Sequence, residues 1–170
     1  MFILYPNEMF HRIYDIPVGF FRERGITTLL LDVDNTLTTH NNHETDEKIM
    51  AWLDMVRAEG MRLMILSNNN RERVEPFAAK LEMGCIANAA KPLPMKLRKS
   101  LKMLGVHRSQ TAIIGDQIFT DVLCGRLCGC TAILVEPIEP ETHGIFPLKR
   151  RLELPILRGF RKMHKKKFGK

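Results

Sequence analysis

Four short apolar runs constrain this chain more than any other feature: residues 27–33, 62–67, 111–115 and 131–135. Each is nearly continuous in Leu, Ile, Val, Met or Ala rather than alternating with polar residues. That is the pattern of strands buried on both faces of a parallel sheet. A shorter, weaker candidate covers 85–88. Between the runs, apolar residues recur at helical spacing, with Ile49, Leu53 and Val56 within 45–59 and Leu97, Leu101 and Leu104 within 94–104. Two further helices are expected over 71–81 and 119–127. Gly60, Gly84 and Gly105 stand where such helices would close. At 170 residues, this alternation predicts one α/β domain of ordinary size, a Rossmann-like parallel sheet of about five strands with helices on both faces.

Ligands of such sheets bind beyond the carboxyl ends of the strands, so the residues there decide the chemistry. The first run ends in Asp32-Val33-Asp34-Asn35-Thr36, and the second in Ser67, followed by Asn68-Asn69-Asn70. Lys91-Pro92 follows the weak strand. The third strong run ends in Gly115-Asp116, with Asp121 five residues on. Asp and Ser are common caps and turn formers at any one such junction. An ordered set of carboxylates, a hydroxyl and an ammonium is harder to explain by caps alone.

This ordered set resembles the haloacid dehalogenase (HAD) superfamily, whose motifs are D-x-D-x-T, a Ser or Thr, a Lys, and G-D followed by a further Asp. The flanks, Ile13-Tyr14-Asp15-Ile16 through Phe20–Ile26 and Lys149 through Leu157, resemble the YqeG-type subgroup of class III HAD phosphatases. That subgroup is similar to mitochondrial phosphatidylglycerophosphate phosphatases. The resemblance implies hydrolysis of a phosphomonoester through an aspartyl-phosphate on Asp32, with Asp34 as general acid and base. It implies Mg2+ held by Asp32, the backbone carbonyl of Asp34 and Asp116. Ser67, Asn68 and Lys91 would bind phosphate, and Thr36 and Asp121 would support them from behind. These residue types suit the reaction, since a carboxylate attacking a phosphate dianion needs positive charge close by.

Spacing adds an expectation about access. Thirty-four residues lie between Asp32 and Ser67, and 23 between Ser67 and Lys91. Each gap accommodates a helix, and the second also a short strand, so neither holds a large cap domain. An open site suits a macromolecule or a head group at a membrane surface.

The net charge of +7 is uneven: residues 149–170 carry ten Lys or Arg and one acid, while residues 1–148 sum to −2. We therefore divide the chain into a phosphatase domain with its lead-in, 1–148, and a basic tail, 149–170. Leu148, Leu152, Ile156, Phe160 and Met163 recur in the tail at helical spacing, and Pro155 is expected to restart or break that helix. Three readings of the tail stay open. It packs on the body and frays, it docks on anionic lipid, or it binds RNA or a ribosome through phosphates. The last reading gives the rival function, a nucleic-acid-associated protein with a phosphatase-like core.

No apolar run approaches the roughly 20 residues of a membrane span, and the N-terminus lacks a signal pattern. A cytoplasmic location, peripheral to the inner face of the membrane, is expected. Cys85, Cys124, Cys128 and Cys130 lack zinc-ligand spacing and read as reduced thiols. Trp52 reads as core. Of the histidines, His40 and His43 alone lie close enough to the D-x-D-x-T segment to touch substrate.

Overall fold

The computed structural model describes residues 3–39, 44–140 and 146–168. Its strands are β1 (Glu8–Phe10), β2 (Thr28–Leu31), β3 (Arg62–Leu66), β4 (Gly84–Ile86), β5 (Thr111–Gly115) and β6 (Thr131–Val135). All pair in parallel, in the order β1-β6-β5-β2-β3-β4. The helices are α1 (Val18–Glu23), α2 (Glu47–Ala58), α3 (Arg71–Lys80), α4 (Pro94–Met103), α5 (Leu123–Cys128) and α6 (Phe146–Phe168). This is the expected Rossmann-like architecture with one strand more. The sixth strand, β1, is three residues long and holds Glu8, so it leaves no apolar run to read.

Period-two alternation divides each central strand between two layers. Leu29 and Leu31 of β2 face one core with Trp52, Leu53 and Val56 of α2 and Phe77 of α3. Leu30 faces the other, with Leu97 and Leu101 of α4 and Cys124 and Cys128 of α5. Trp52 is core, as expected, and its indole N–H donates to the Ile16 carbonyl at 2.9 Å. Three of the four cysteines are buried, and all four are free thiols.

Topology puts the site at the centre. The chain runs outward from β2 through β3 to β4, then returns to the other side of β2 as β5. That reversal opens a crevice between β2 and β5. Leu31 is in register with Ile114, so Asp32 and the Gly115-Asp116 pair emerge at neighbouring strand ends, and oxygens of the two carboxylates lie within 4.8 Å. Among the described residues, α2 is the one helix between β2 and β3, and α3 and β4 fill the span from β3 to Lys91. No cap domain lies in either described stretch.

The helix expected over 119–127 starts instead as a wide π turn, Ile118–Val122, that passes into α5. α6 differs more. It runs unbroken through Pro155, and the boundary at 148/149 falls inside it. A proline in a helix forfeits one backbone bond and crowds the preceding turn. Burial of Phe160, with Ile156 and Leu157 packed on Ile118, Val122 and Leu134, offsets that cost.

Candidate active site

Asp32 ends β2 and is held in the ladder, its N–H donating to the Ile114 carbonyl at 2.9 Å. The side chain meets Lys91, whose Nζ donates to Asp32 Oδ1 at 2.7 Å, to Asp121 Oδ1 at 2.6 Å and to the Leu66 carbonyl at 3.0 Å. All three donor positions of the ammonium are thus spent inside the protein. Burial pushes the Asp32 carboxyl up, against the pull of Lys91 and with help from Asp121, to about 7. Burial also works against the charge on Lys91, but Asp121 and Asp32 outweigh it and hold the ammonium above its ordinary range.

Asp34 sits one turn further out. Its Oδ2 accepts from Asn69 Nδ2 and its Oδ1 from Arg73 Nη2, both at 2.6 Å. Asn70 caps α3 by accepting from the Arg73 N–H at 3.2 Å, which fixes where that helix begins. Asn69 and Arg73 are thereby placed on either side of the cap and both reach Asp34. Neither stood out in the sequence, because the Asn68–Asn70 run signals only a turn. Between Asp34 and Thr36, Asn35 takes a left-handed conformation (φ 59°), which Asn tolerates better than most residues. Its carbonyl and Oδ1 accept from Ile138 and Glu139, tying the motif to the segment after β6.

Ser67 is buried at the end of β3, and its hydroxyl accepts from the Asn69 N–H at 3.2 Å. Asn68 uses both ends of its side-chain amide on the Lys91 backbone, accepting from N–H at 2.7 Å and donating to the carbonyl at 3.0 Å. Its side chain therefore sets where Lys91 stands. Asp32, Asp34, Ser67, Asn68, Lys91 and Lys149 line a cavity of about 310 Å³, with Asn69, Arg73, Gln117 and Thr120 at its wall. His40 and His43 lie outside the described residues.

Asp116 follows Gly115, which is glycine for a visible reason: a Cβ there would overlap the Asp121 carboxyl. Asp121 is carried in by the π turn and is fully committed. One oxygen takes Lys91, and the other accepts from the Gln117 N–H at 3.1 Å and Thr120 Oγ1 at 3.3 Å. Asp116 accepts from Arg150 at both its backbone carbonyl and Oδ2, whereas its buried Oδ1 has no hydrogen-bond partner among the described residues. Burial pushes this carboxyl well above its ordinary value, with Arg150 opposing and Asp121 and Asp32 adding to it. Thr36 is buried behind the motif, and its Oγ1 is likewise unpartnered among the described residues.

These groups fit a divalent cation. Oxygens of Asp32, Asp116 and Asp121 lie within 4.8 Å of one another, all buried. Carboxylate oxygens are the donors that hard cations prefer, and an orphaned buried oxygen is costly unless something occupies it. With Asp121 committed elsewhere, Asp32 and Asp116 are the carboxylates left to ligate.

A parallel sheet with an acidic, lysine-bridged centre at its switch point defines a Rossmann-like protein whose site suits phosphoryl chemistry. Comparison with known proteins narrows this. A family model described as HAD-hydrolase-like matches residues 88–137, the stretch that holds Lys91, Asp116 and Asp121. The protein named "Probable phosphatase YqeG" of Bacillus subtilis (strain 168) is 30% identical over 152 residues, covering 89% of this chain and 88% of its own. An uncharacterised protein from Listeria monocytogenes serotype 4b shares the fold with a TM-score of 0.58 at 17% identity, over 70% of this chain and 85% of its own. The cobalt-bound deoxy-D-mannose-octulosonate 8-phosphate phosphatase (YrbI) of Haemophilus influenzae does so at 0.53 and 19%, over 82% and 91%. The chain belongs to the HAD-like family and is a phosphatase.

Proposed function

We propose that the protein hydrolyses a phosphomonoester of a lipid head group, with phosphatidylglycerophosphate as the substrate, at the cytoplasmic face of the membrane. The chemical half of this reading is carried by the bridge of Lys91 between Asp32 and Asp121, beside Ser67 in a cavity wide enough for a phosphate. In the first step an oxygen of Asp32 forms a bond to phosphorus as the bond to the leaving alkoxide breaks. Asp34 gives that alkoxide its proton. In the second step water attacks phosphorus, Asp34 takes the water's proton, and the Asp32–phosphate bond breaks to free phosphate. Asn69 and Arg73 hold Asp34 in place through this cycle. The Ser67 hydroxyl donates to a phosphoryl oxygen, the Lys91 ammonium adds its positive charge beside it from its place between Asp32 and Asp121, and Asn68 acts by positioning Lys91. Asp32, the Asp34 carbonyl and Asp116 would hold Mg2+, whose charge would offset the repulsion between carboxylate and phosphate. Asp121 and Thr36 support this arrangement from behind.

The lipid half is supported by the resemblance to the YqeG-type subgroup and by α6. The helix has two unlike faces. Glu153, Ile156, Leu157 and Phe160 face the body. Leu148, Leu152 and Met163 are 63%, 55% and 44% exposed, with Arg151, Arg158 and Lys162 also exposed. An apolar strip edged by basic residues suits an anionic bilayer surface. Lys149 of the same helix lines the cavity, which would bring the cavity mouth to that surface. Among the described residues no helix is long and apolar enough to cross a membrane.

Two assays test the reading. Hydrolysis of p-nitrophenyl phosphate with Mg2+ is expected for the wild type and lost, by about three orders of magnitude or more, in Asp32→Asn. Equal rates for the two proteins would sink the enzyme assignment. Phosphate release from phosphatidylglycerophosphate in anionic mixed vesicles is expected to fall in the triple variant L148S/L152S/M163S while p-nitrophenyl phosphate turnover holds. Unchanged lipid turnover would remove the membrane-facing role of α6.

A further inference from the structure

α6 reaches the metal-side carboxylate through the half-buried Arg150, paired with the buried Glu153. Arg150 Nη1 donates to the Asp116 carbonyl at 2.6 Å and to Glu153 Oε2 at 3.0 Å, and Nη2 donates to Asp116 Oδ2. Glu153 Oε1 accepts from the Ile118 N–H at 2.7 Å. Asp116, Arg150, Glu153 and Ile118 thus close a ring across the loop that joins β5 to the π turn. Packing alone does not account for it. A buried acid and base are costly to desolvate, and α6 already covers this side of the sheet with Ile156, Leu157 and Phe160.

We propose that Arg150 is a positioning residue for the metal-binding carboxylate. It occupies Oδ2 and the backbone carbonyl of Asp116, so that Oδ1 alone is offered to the cation, and Glu153 holds both Arg150 and the loop in that register. The inference rests on the assignment of Asp116 as a metal ligand. Mg2+ demands near-octahedral geometry and takes few protein ligands. A carboxylate pinned at one oxygen presents a single, directed donor, whereas an unpinned one is free to turn. Groups that orient metal ligands in this way are worth 10–100-fold in affinity. The tail helix therefore completes the site, and the cation site depends on a residue more than 30 positions away in sequence from the carboxylate it serves.

The test is cation binding by the full-length protein, read by Mn2+ paramagnetic resonance and by Mg2+ calorimetry rather than by turnover. Arg150→Met is expected to weaken binding about tenfold or more, and Glu153→Gln by a smaller factor. Arg150→Lys, which keeps the charge but loses the two-pronged guanidinium, is expected to recover only part of the affinity. KM for p-nitrophenyl phosphate at saturating Mg2+ is expected to stay within about twofold, since Arg150 does not line the phosphate cavity. Cation binding by Arg150→Met as tight as the wild type, or tighter, overturns the proposal and makes Arg150 a bystander or a competitor of the cation. Should Arg150→Met fail to fold by circular dichroism, unchanged affinity in both Arg150→Lys and Glu153→Gln overturns it equally. Wild type that binds no better than Asp116→Asn overturns the metal assignment itself, so the two failures are distinct.

Discussion

Lys91 and Arg150 both set a cation against buried carboxylates of one centre, yet they stand on different footing. Lys91 comes from the body, just after β4, with its side chain 3% exposed and its ammonium spent on Asp32, Asp121 and the Leu66 carbonyl. Arg150 comes from a terminal helix, is 22% exposed, and divides its guanidinium between Asp116 and Glu153. Removing Lys91 unbalances the core of the fold. Removing Arg150 loosens a contact between two elements that could each persist without it. The first cation is built into the sheet, and the second arrives only when α6 docks.

Substitution of Lys91 is the harshest way to break this contrast. Lys91→Met leaves Asp32 and Asp121 facing each other in the interior with no countercharge, which costs about 3–5 kcal/mol at neutral pH. The sign of its pH dependence follows. Asp32 is already raised to about 7, and without Lys91 it loses the main pull that opposes burial, so the folded state binds more protons than the unfolded one. Stability then falls as pH rises from the unfolded value of this carboxyl to its folded one. Urea denaturation of Lys91→Met is expected to show the smallest deficit near pH 4 and the largest above pH 7. A deficit independent of pH would mean that lost packing, not uncompensated charge, is the cause.

The two cations also differ in how readable they were. Lys91 stood at a strand end, in an ordered motif, and the structure brings it to Asp32 and Asp121. Four of the five expected strands were visible as strong apolar runs, because a strand covered on both faces has no room for polar residues. Arg150 was one base among the ten of the tail, and nothing local distinguishes a base that points inward. The same holds for Glu153, the tail's lone acid, which reads as an ordinary helix-surface residue until Ile118 is seen to donate to it. Spacing misread the α6 face in an instructive way. Leu148, Leu152, Ile156, Phe160 and Met163 fit one loose helical stripe, but Ile156 and Phe160 turn to the body while the other three stay outside. β1 escaped because three half-buried residues carry no period at all.

If Arg150 depends on docking, an anchor further along α6 should matter to the centre. Phe160 is 5% exposed and packs edge-on against Tyr5, ring centroids 5.9 Å apart. Phe160→Ala is expected to cost about 3 kcal/mol, seen by hydrogen exchange as local opening of α6 ahead of the sheet. Mn2+ affinity should fall with it. Leu101→Ala, a comparable loss on α4 in a separate core cluster that α6 does not touch, should leave that affinity in place. Equal effects of the two would show that the centre responds to stability in general and not to α6.

A milder probe is pH. Asp32, pushed up to about 7, and Asp116, also raised, must both lose protons to ligate a cation. Protons compete, so apparent Mg2+ affinity is expected to rise by about tenfold per pH unit from 5.5 to about 7 for the proton displaced from Asp32, and to rise further wherever Asp116 still holds one. Calorimetry in two buffers of different ionisation enthalpy counts the protons released. Affinity flat across this range would mean that the carboxyls are already ionised in the free protein.

The smallest stability effect should come from the outer face of α6, and its smallness is what makes it informative. Leu148, Leu152 and Met163 are exposed, so serine at each removes little buried apolar surface, and each change should fall within about 0.5 kcal/mol. Single exposed leucines are ordinary, but Leu148, Leu152 and Met163 fall at helical spacing along one strip. Arg151, Arg158 and Lys162 are also exposed on the helix, and an apolar patch edged by charge suits an interaction surface. Retention of melting temperature and Mn2+ affinity, together with reduced sedimentation on anionic vesicles, would separate the two faces: the inner one serves Asp116, the outer one the surface that delivers substrate. If the same variants lose Mn2+ affinity without any change on vesicles, the division between the faces is drawn in the wrong place, and the whole helix belongs to the support of Arg150.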